Sequence, residues 1–385
     1  MIPYGRQSIS EEDIQAVVNV LRSDYLTQGS VVPKFEQAVA DYVGANYAVA
    51  VNSGTSALHI ACLALGLGEG DWVWTSPNTF VASANCALYC GAQVDFVDID
   101  PDTFNMSISA LECKLQQAEK AGTLPKIVIP VHFSGLSCDM QDIARLAKQY
   151  GFYVIEDACH AIGGKYQNKL IGSCCYSDIS VFSFHPVKII TTAEGGMAMT
   201  NQPLLAKKMQ LLRSHGITRD ADKMSHEPDG AWYYQQIDLG LNYRLTELQA
   251  ALGLRQLGRI VAFVERRHQI AQQYQTLLSS LPLDMQYQSE DCYSAWHIFV
   301  IRVHLTVEKK SHKQIFAALR QLGIGVNVHY IPVHLQPYYQ QMGFRKGDFP
   351  EAESYYDTAI TLPIFPDLTD EQVVFIVEKL SEVLK

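Results

Sequence analysis

The segment YAVAVNSGTSALHIACLAL, residues 47–65, decides the fold that we expect. Its first five residues, Tyr47–Val51, form an apolar run typical of a buried strand, and residues 57–65 follow as an apolar helical run after a polar turn. Short apolar runs alternate with helical stretches in the same way as far as residue 200, at residues 72–75, 94–98, 126–130, 153–156 and 179–182. This alternation predicts an α/β fold in which helices cover both faces of a largely parallel sheet.

After Arg244 the pattern changes to that of a smaller α+β domain. A long helical stretch reaches to about residue 281, and a strand at residues 298–303, a further helix and a strand at residues 326–328 follow it. A chain of this length can support more than one core. The two predicted domains are residues 1–243, with the large sheet, and residues 244–385.

The composition excludes several classes of partner. The formal net charge is −10 and the pI is about 5.6, so no field attracts nucleic acid or an anionic membrane. No charged and then apolar leader opens the sequence, and the apolar stretch at residues 57–67 is too short to span a bilayer. We therefore expect a cytoplasmic protein without a nucleic-acid or membrane partner.

The nine cysteines predict neither a disulfide framework nor a metal centre. Their number is odd, they are scattered, and no two of them form a CxxC pair. Cys86 and Cys90 are four residues apart in an apolar helical run, which could suggest zinc, but no second pair of ligands follows. We interpret them as small buried apolar residues and predict no metal site.

The polar turn Asn52-Ser53-Gly54-Thr55-Ser56 is the first candidate for a binding site. It would place free backbone N–H groups and hydroxyls at the start of a helix, an arrangement suited to a phosphate dianion. Serine and threonine are also the ordinary caps of helices, so this motif alone leaves both interpretations open. It matches neither a Walker loop nor a GxGxxG motif, which argues against an NTPase or a dehydrogenase.

Two further motifs follow predicted strands. Asp157 ends the buried run 154–157, at the edge where open α/β sheets bind ligands, and His160 comes three residues later. Lys188 lies between a predicted strand and the glycine turn 194–196. Alone, these residues could be a helix cap, a core histidine and a solvated lysine. Together, a phosphate cup, a carboxylate and a lysine are what a pyridoxal phosphate (PLP) enzyme requires, because the carboxylate keeps the pyridine nitrogen protonated.

These motifs resemble those of the DegT family, the sugar-nucleotide aminotransferases of PLP fold type I. The resemblance extends over most of the chain, through residues 52–58, 156–161, 183–188, 194–196, 240–244 and 249–251. It implies a large PLP-binding domain with a smaller C-terminal domain. It also implies that Lys188 carries the cofactor as a Schiff base and that Asp157 binds the pyridine nitrogen, so these two residues are the predicted catalytic residues.

The resemblance implies further contacts to the cofactor. The matching residues are Gly54, Thr55 and Ser183 at the phosphate, Ser56 assisting them, His160 at the ring, Phe80 stacked on its face, and Asn242 at the phosphate of the neighbouring subunit. Phe80 could instead be a core residue, and Asn242 an ordinary turn residue. If Asn242 has the implied role, the protein is a homodimer whose active site is shared between subunits.

Other segments resemble the branch of this family that acts in pseudaminic acid synthesis. The matching residues in the segments that contact substrate are Tyr4, Asp24, Tyr25, Leu26, Thr27, Val328, His329, Tyr330 and Ile331. The position of Asp24 is commonly basic in that branch, so its backbone is the better candidate for a contact. The implied substrates are a UDP-linked 4-keto-6-deoxy-N-acetylhexosamine and L-glutamate. The alternatives are another nucleotide-linked keto sugar, or a relative without catalytic activity; a sugar dehydratase is disfavoured, because those relatives have histidine in place of the lysine.

Overall fold

A computed structural model describes residues 1–305 and 310–385. The strands are β1 (Tyr47–Val51), β2 (Trp72–Thr75), β3 (Gln93–Phe96), β4 (Ile127–Ile129), β5 (Tyr153–Asp157), β6 (Lys165–Tyr166), β7 (Lys169–Leu170), β8 (Ile179–Ser183), β9 (Gly196–Thr200), β10 (Ile217–Thr218), β11 (Gln235–Gln236), β12 (Leu283–Met285), β13 (Cys292–Tyr293), β14 (Phe299–Val303) and β15 (Ala359–Leu362).

The helices alternate with these strands along the first half of the chain. They are α1 (Glu11–Leu21), α2 (Val31–Val43), α3 (Gly54–Ala64), α4 (Ala82–Tyr89), α5 (Ile108–Ala121), α6 (Met140–Tyr150), α7 (Pro203–Leu212), α8 (Glu247–Leu257), α9 (Ile260–Leu278), α10 (His312–Gln321), α11 (Pro337–Gln340), α12 (Pro350–Thr358) and α13 (Asp370–Leu384). None of the helices in the described ranges is long and apolar enough to cross a membrane.

The central sheet has seven strands in the order β1-β9-β8-β5-β4-β2-β3. Neighbouring strands from β8 to β3 are parallel, whereas β9 is antiparallel to both β1 and β8. Only β9 therefore runs against the other six strands, and the carboxyl ends of β5 and β8 meet at one edge. The predicted α/β class with a mostly parallel sheet is confirmed.

A second sheet lies in the C-terminal part of the chain. It has the order β12-β14-β15, and its buried side chains form one core with those of α9, α10 and α13. Helix α8, in contrast, packs against α1 and α2. The boundary at residues 243 and 244 stays a prediction.

Three features of the chain depart from what the sequence pattern indicated. The helical stretch that was predicted to reach residue 281 consists of two helices: α8 ends with Gly258 as its cap, and α9 begins at Ile260. Residues 326–328 form only the isolated bridge of Asn327 with Thr361 and no strand. The backbone just before them pairs instead with the N-terminal segment, where Gly325 N donates to Ile2 O at 2.7 Å. Strand β9 was not predicted, because alanine, methionine and glycine are weak signals of a strand.

Candidate active site

A cavity of about 760 Å³ opens at the carboxyl edge of the central sheet. Its lining brings together residues that are far apart in the sequence. Twelve of the predicted site residues line it: Tyr4, Gly54, Thr55, Ser56, Phe80, Asp157, His160, Ser183, Lys188, Val328, His329 and Tyr330. The topology explains the convergence, since β5, β8 and the start of α3 all end or begin at this edge.

One wall of the cavity is the N-terminus of α3. Ser53 caps the helix, its Oγ accepting from Ser56 N at 3.0 Å, and Ser56 Oγ donates to Asn52 Oδ1 at 2.6 Å. Gly54 and Thr55 occupy the first turn, where backbone N–H groups have no partner inside a helix. These N–H groups, together with the positive end of the helix dipole, make a cup for an anion.

Ser183 can face this cup because residue 54 is glycine. A Cβ atom on Gly54 would lie 2.9 Å from Ser183 Cβ and 3.3 Å from Cys159 Sγ. Such a contact forces the helix and β8 apart. Glycine is therefore required here for the close approach of the two elements.

Asp157 ends β5 and is buried at the floor of the cavity. Its Oδ2 accepts from Ser83 Oγ at 2.5 Å, and its Oδ1 accepts from Cys159 N at 3.2 Å. Ser83 Oγ is also 2.8 Å from Thr79 Oγ1. Since the carboxylate takes the single proton of Ser83, Thr79 must donate to Ser83. Sequence reasoning missed Ser83, because a serine inside the apolar helix α4 gives no signal until the fold places it beside Asp157.

Lys188 lies in the turn after β8, and its backbone N donates to His185 O at 2.9 Å. The side chain borders the cavity, and within the described residues it forms no salt bridge. Burial lowers the pKa of Lys188, while Cys159 and Asp157 act in the opposite direction. A lysine with a lowered pKa has more of the neutral amine that attacks a carbonyl group.

Three buried histidines, His160, His297 and His329, line the same cavity as Lys188. Burial, with the charge of Lys188, lowers the pKa of His160 well below its ordinary value and that of His329 to about 3. Burial also lowers the pKa of His297, whose ring centroid is 4.4 Å from that of His160. All three imidazoles are therefore neutral at neutral pH. His297 lines the cavity and was missed from the sequence, because no motif surrounds it.

The remaining predicted site residues do not line this cavity. They are Asn242, Asp24, Tyr25, Leu26, Thr27 and Ile331, all of them exposed. The exposed segment 24–27 contacts the start of α8, where Glu247 N donates to Leu26 O at 3.0 Å. Phe80 lies at the mouth of the cavity, 59% exposed, with its ring 6.2 Å from that of Tyr330.

Among the described residues, no group of His, Cys, Asp or Glu side chains is placed to hold a metal ion.

The sequence model of the DegT/DnrJ/EryC1/StrS aminotransferase family matches residues 7–381. The chain belongs to this family. It is 40% identical to the spore coat polysaccharide biosynthesis protein SpsC of Bacillus subtilis, over 100% of this chain and 97% of that protein. Among solved structures, PseC of Helicobacter pylori, an aminotransferase involved in the biosynthesis of pseudoaminic acid, matches with a TM-score of 0.90 and 32% identity over 100% of this chain and 99% of that one.

Another similar solved structure is that of the sugar aminotransferase Spr1654 from Streptococcus pneumoniae. Its PMP form matches with a TM-score of 0.90 and 31% identity, over 100% of this chain and 99% of that one, and its PLP form has a TM-score of 0.88. The protein is thus a PLP-dependent aminotransferase of the DegT family, and the predicted family, fold type and cofactor are confirmed.

The cavity fits PLP at three points. The cup at Gly54 and Thr55, facing Ser183, has the free donors that a phosphate group requires. Asp157, held by Ser83, provides a buried carboxylate for a protonated pyridine nitrogen. Lys188 offers an amine in the same cavity, without a salt-bridge partner among the described residues. The individual contacts of these residues to the cofactor stay predictions.

Proposed function

We propose that this sugar aminotransferase transfers the amino group of L-glutamate to the C4 keto group of a UDP-linked 4-keto-6-deoxy-N-acetylhexosamine, UDP-2-acetamido-2,6-dideoxy-β-L-arabino-hex-4-ulose. The product would be UDP-4-amino-4,6-dideoxy-N-acetyl-β-L-altrosamine, an intermediate of pseudaminic acid synthesis. The observation that carries the proposal is the position of Lys188, which shares one cavity with Asp157 and the anion cup of α3.

The choice of a sugar substrate is supported by the relatives. PseC acts in the biosynthesis of pseudoaminic acid and SpsC in that of a spore coat polysaccharide, and both align with this chain from end to end. The segments that resemble the pseudaminic branch include Tyr4, His329 and Tyr330, which line the cavity beside Lys188. Polar side chains in that part of the cavity are suited to the hydroxyl and carbonyl oxygens of a sugar.

Lys188 is proposed to move the proton that transamination requires. When bound, PLP withdraws electrons from the carbon that carries the transferred nitrogen. Nζ of Lys188, as a neutral amine, would take a proton from that carbon and deliver it to a second carbon. It would thus act first as a general base and then as a general acid. Burial of Lys188 supports the neutral form, because it lowers the pKa of the amine.

Asp157 would pair with the protonated pyridine nitrogen of PLP, whose positive charge this proton transfer requires. The carboxylate accepts from Ser83 and from the backbone of Cys159, so its orientation is fixed before any ligand binds. The neutral histidines around Lys188 add no positive charge that would compete for Asp157. Asp157 is thus free to pair with a protonated ring nitrogen.

The proposed enzyme is a homodimer with a shared active site. Asn242 and the segment 24–27 are exposed, and the segment contacts the start of α8, where Glu247 N donates to Leu26 O. Trp232 and Leu239, which precede Asn242, are 74% and 82% exposed, so this stretch offers large apolar side chains that a second copy would cover. A two-fold axis would bring Asn242 to the cofactor phosphate of the neighbouring subunit.

The substrate is tested with a panel of UDP- and dTDP-linked 4-keto sugars and L-glutamate as donor. We expect the UDP-linked 4-keto-6-deoxy-N-acetylhexosamine to give the highest kcat/KM. A higher kcat/KM for a dTDP-linked sugar would assign the enzyme to another branch of the family. Absence of turnover with the whole panel would show that the substrate is none of these nucleotide-linked 4-keto sugars and would refute the proposal. The cytoplasmic location and the lack of nucleic-acid and membrane partners stay predictions.

A further inference from the structure

The cavity contains a hydrogen-bond chain whose direction can be derived atom by atom. Ser134 N donates to His160 Nδ1 at 3.3 Å, and His160 Nε2 lies 3.0 Å from the hydroxyl of Tyr330. A backbone N–H can only donate, so Nδ1 of His160 must accept. The direction of the second bond then follows from the protonation state of His160.

His160 is neutral, for reasons that the surrounding structure supplies. Its side chain is buried, and burial together with the nearby charge of Lys188 disfavours a positive charge on the ring. Because Nδ1 accepts, the single proton of a neutral imidazole must be on Nε2. His160 therefore donates to the oxygen of Tyr330, and Tyr330 cannot donate to His160.

The backbone around Tyr330 is fixed by two further bonds. Tyr330 N donates to Asn78 Oδ1 at 3.3 Å, and the hydroxyl of Tyr355 donates to His329 O at 2.6 Å. Tyr330 lines the cavity, and burial raises the pKa of its phenol, so the hydroxyl keeps its proton. Within residues 1–305 and 310–385, His160 is the hydrogen-bond partner of that hydroxyl, so the O–H proton is available to a group inside the cavity.

We infer that Tyr330 acts as a fixed hydrogen-bond donor to the substrate, with its acceptor side occupied by His160. Such a donor binds a carbonyl, hydroxyl or carboxylate oxygen and does not bind an ammonium group, which can only donate. Tyr330 is thus a residue that determines specificity, and His160 and Ser134 position it. The inference rests on the proposed function for the identity of the substrate, but the direction of the chain is independent of it.

The direction is tested by nitrogen NMR of the holoenzyme with labelled histidine and no substrate. The signal that is lost in His160→Gln identifies His160. We expect Nε2 protonated and Nδ1 unprotonated, both in the wild type and in Tyr330→Phe, because Ser134 rather than Tyr330 sets the tautomer. A proton on Nδ1, or a tautomer that changes in Tyr330→Phe, would overturn the inference whether or not the enzyme acts on sugars.

The role of Tyr330 in substrate binding is tested by steady-state kinetics of Tyr330→Phe. Removal of one neutral hydrogen bond should raise the KM of the keto sugar about tenfold, with kcat changed less than about twofold. Tyr338→Phe, the same change at an exposed position outside the cavity, should behave like the wild type. Unchanged KM in Tyr330→Phe would refute the contact. A wild type without sugar turnover would refute the proposed function instead, and the NMR result would still decide the direction of the chain.

Discussion

Among single residues, Ser83 allows the most direct test of how Asp157 is held for the cofactor. It lies fully buried and donates to Asp157 Oδ2 at 2.5 Å. Ser83→Ala leaves the carboxylate with one donor fewer and the side chain free to rotate, and a hydrogen bond to a charged group is worth about 1.5–3 kcal/mol. We expect the Kd of PLP, measured by its absorbance on titration of the apoenzyme, to rise about 10- to 100-fold.

Ser180→Ala is the matched control for this prediction. Ser180 is equally buried, but its Oγ has no hydrogen-bond partner among the described residues, so its removal costs none of the described bonds. The Kd of PLP should stay near that of the wild type in this variant. Equal Kd values in Ser83→Ala and Ser180→Ala would show that Ser83 does not hold Asp157 for the cofactor.

The buried histidines make the stability of the protein sensitive to acid. The pKa of His329 is lowered to about 3 by burial and by Lys188, whereas histidine in an unfolded chain titrates near 6.5. The unfolded state therefore binds more protons than the folded state below about pH 6.5. The contribution of His329 to stability is complete above that pH and is lost as the pH falls toward 3. His329→Gln should reduce the slope of the unfolding free energy against pH, between pH 6 and 5, by up to about 1.4 kcal/mol per pH unit.

The readout of this prediction is the slope and not the stability itself, because the variant could be less stable at every pH. Urea unfolding at both pH values gives the two free energies. His226→Gln, at an exposed position, serves as control and should keep the slope of the wild type. The same slope in His329→Gln and in the wild type would show that His329 is protonated equally in the folded and unfolded states.

At the scale of elements, the contact between α3 and β8 shapes the anion cup. Gly54→Ala places a Cβ atom 2.9 Å from Ser183 Cβ, and either helix or strand must move. We expect at least a tenfold loss of PLP affinity, since the donors of the first turn no longer converge with Ser183. Gly68→Ala, where a Cβ atom would have no atom of the described residues within 4 Å, should leave the affinity unchanged. Unchanged affinity in Gly54→Ala would mean that the phosphate binds elsewhere.

The sequence predicted the elements of the large sheet well, because buried parallel strands have a strong signal. Six of its seven strands were predicted to within two residues, and β9 was missed because its glycine, alanine and methionine residues favour a strand only through the neighbours that they pair with. The break between α8 and α9 was missed because apolar spacing continues through Gly258. Lys188 and Asp157 could be singled out from motifs, whereas Ser83 and His297 depend on contacts between distant segments that no local pattern encodes.

At the scale of the whole molecule, the shared active site makes a prediction about mixed dimers. Lys188 is proposed to serve its own site and Asn242 the site of the neighbouring subunit. In a dimer of one Lys188→Ala chain and one Asn242→Ala chain, one site would carry both changes and the other neither. Mixing equal amounts under conditions of subunit exchange should restore about a quarter of the wild-type activity, since half of the dimers are mixed and each has one intact site.

This prediction requires Asn242→Ala to be impaired by itself. A hydrogen bond to a phosphate, worth about 1.5–3 kcal/mol, is enough for such a loss. Subunit exchange is verified by native mass spectrometry of chains with different tags. No recovery of activity in verified mixed dimers would show that the site is built within one chain.

This molecule is proposed to transfer nitrogen to a sugar nucleotide through Lys188. The most direct measurement supplies L-glutamate labelled with nitrogen-15 and the UDP-linked 4-keto sugar, and follows the label by mass spectrometry of the sugar nucleotide. The wild type should give a labelled amino sugar, and Lys188→Ala, still able to bind PLP through the cup and Asp157, should give none. A labelled product formed by Lys188→Ala at the wild-type rate would contradict the role of Lys188, and no labelled product from the wild type would contradict the proposed reaction.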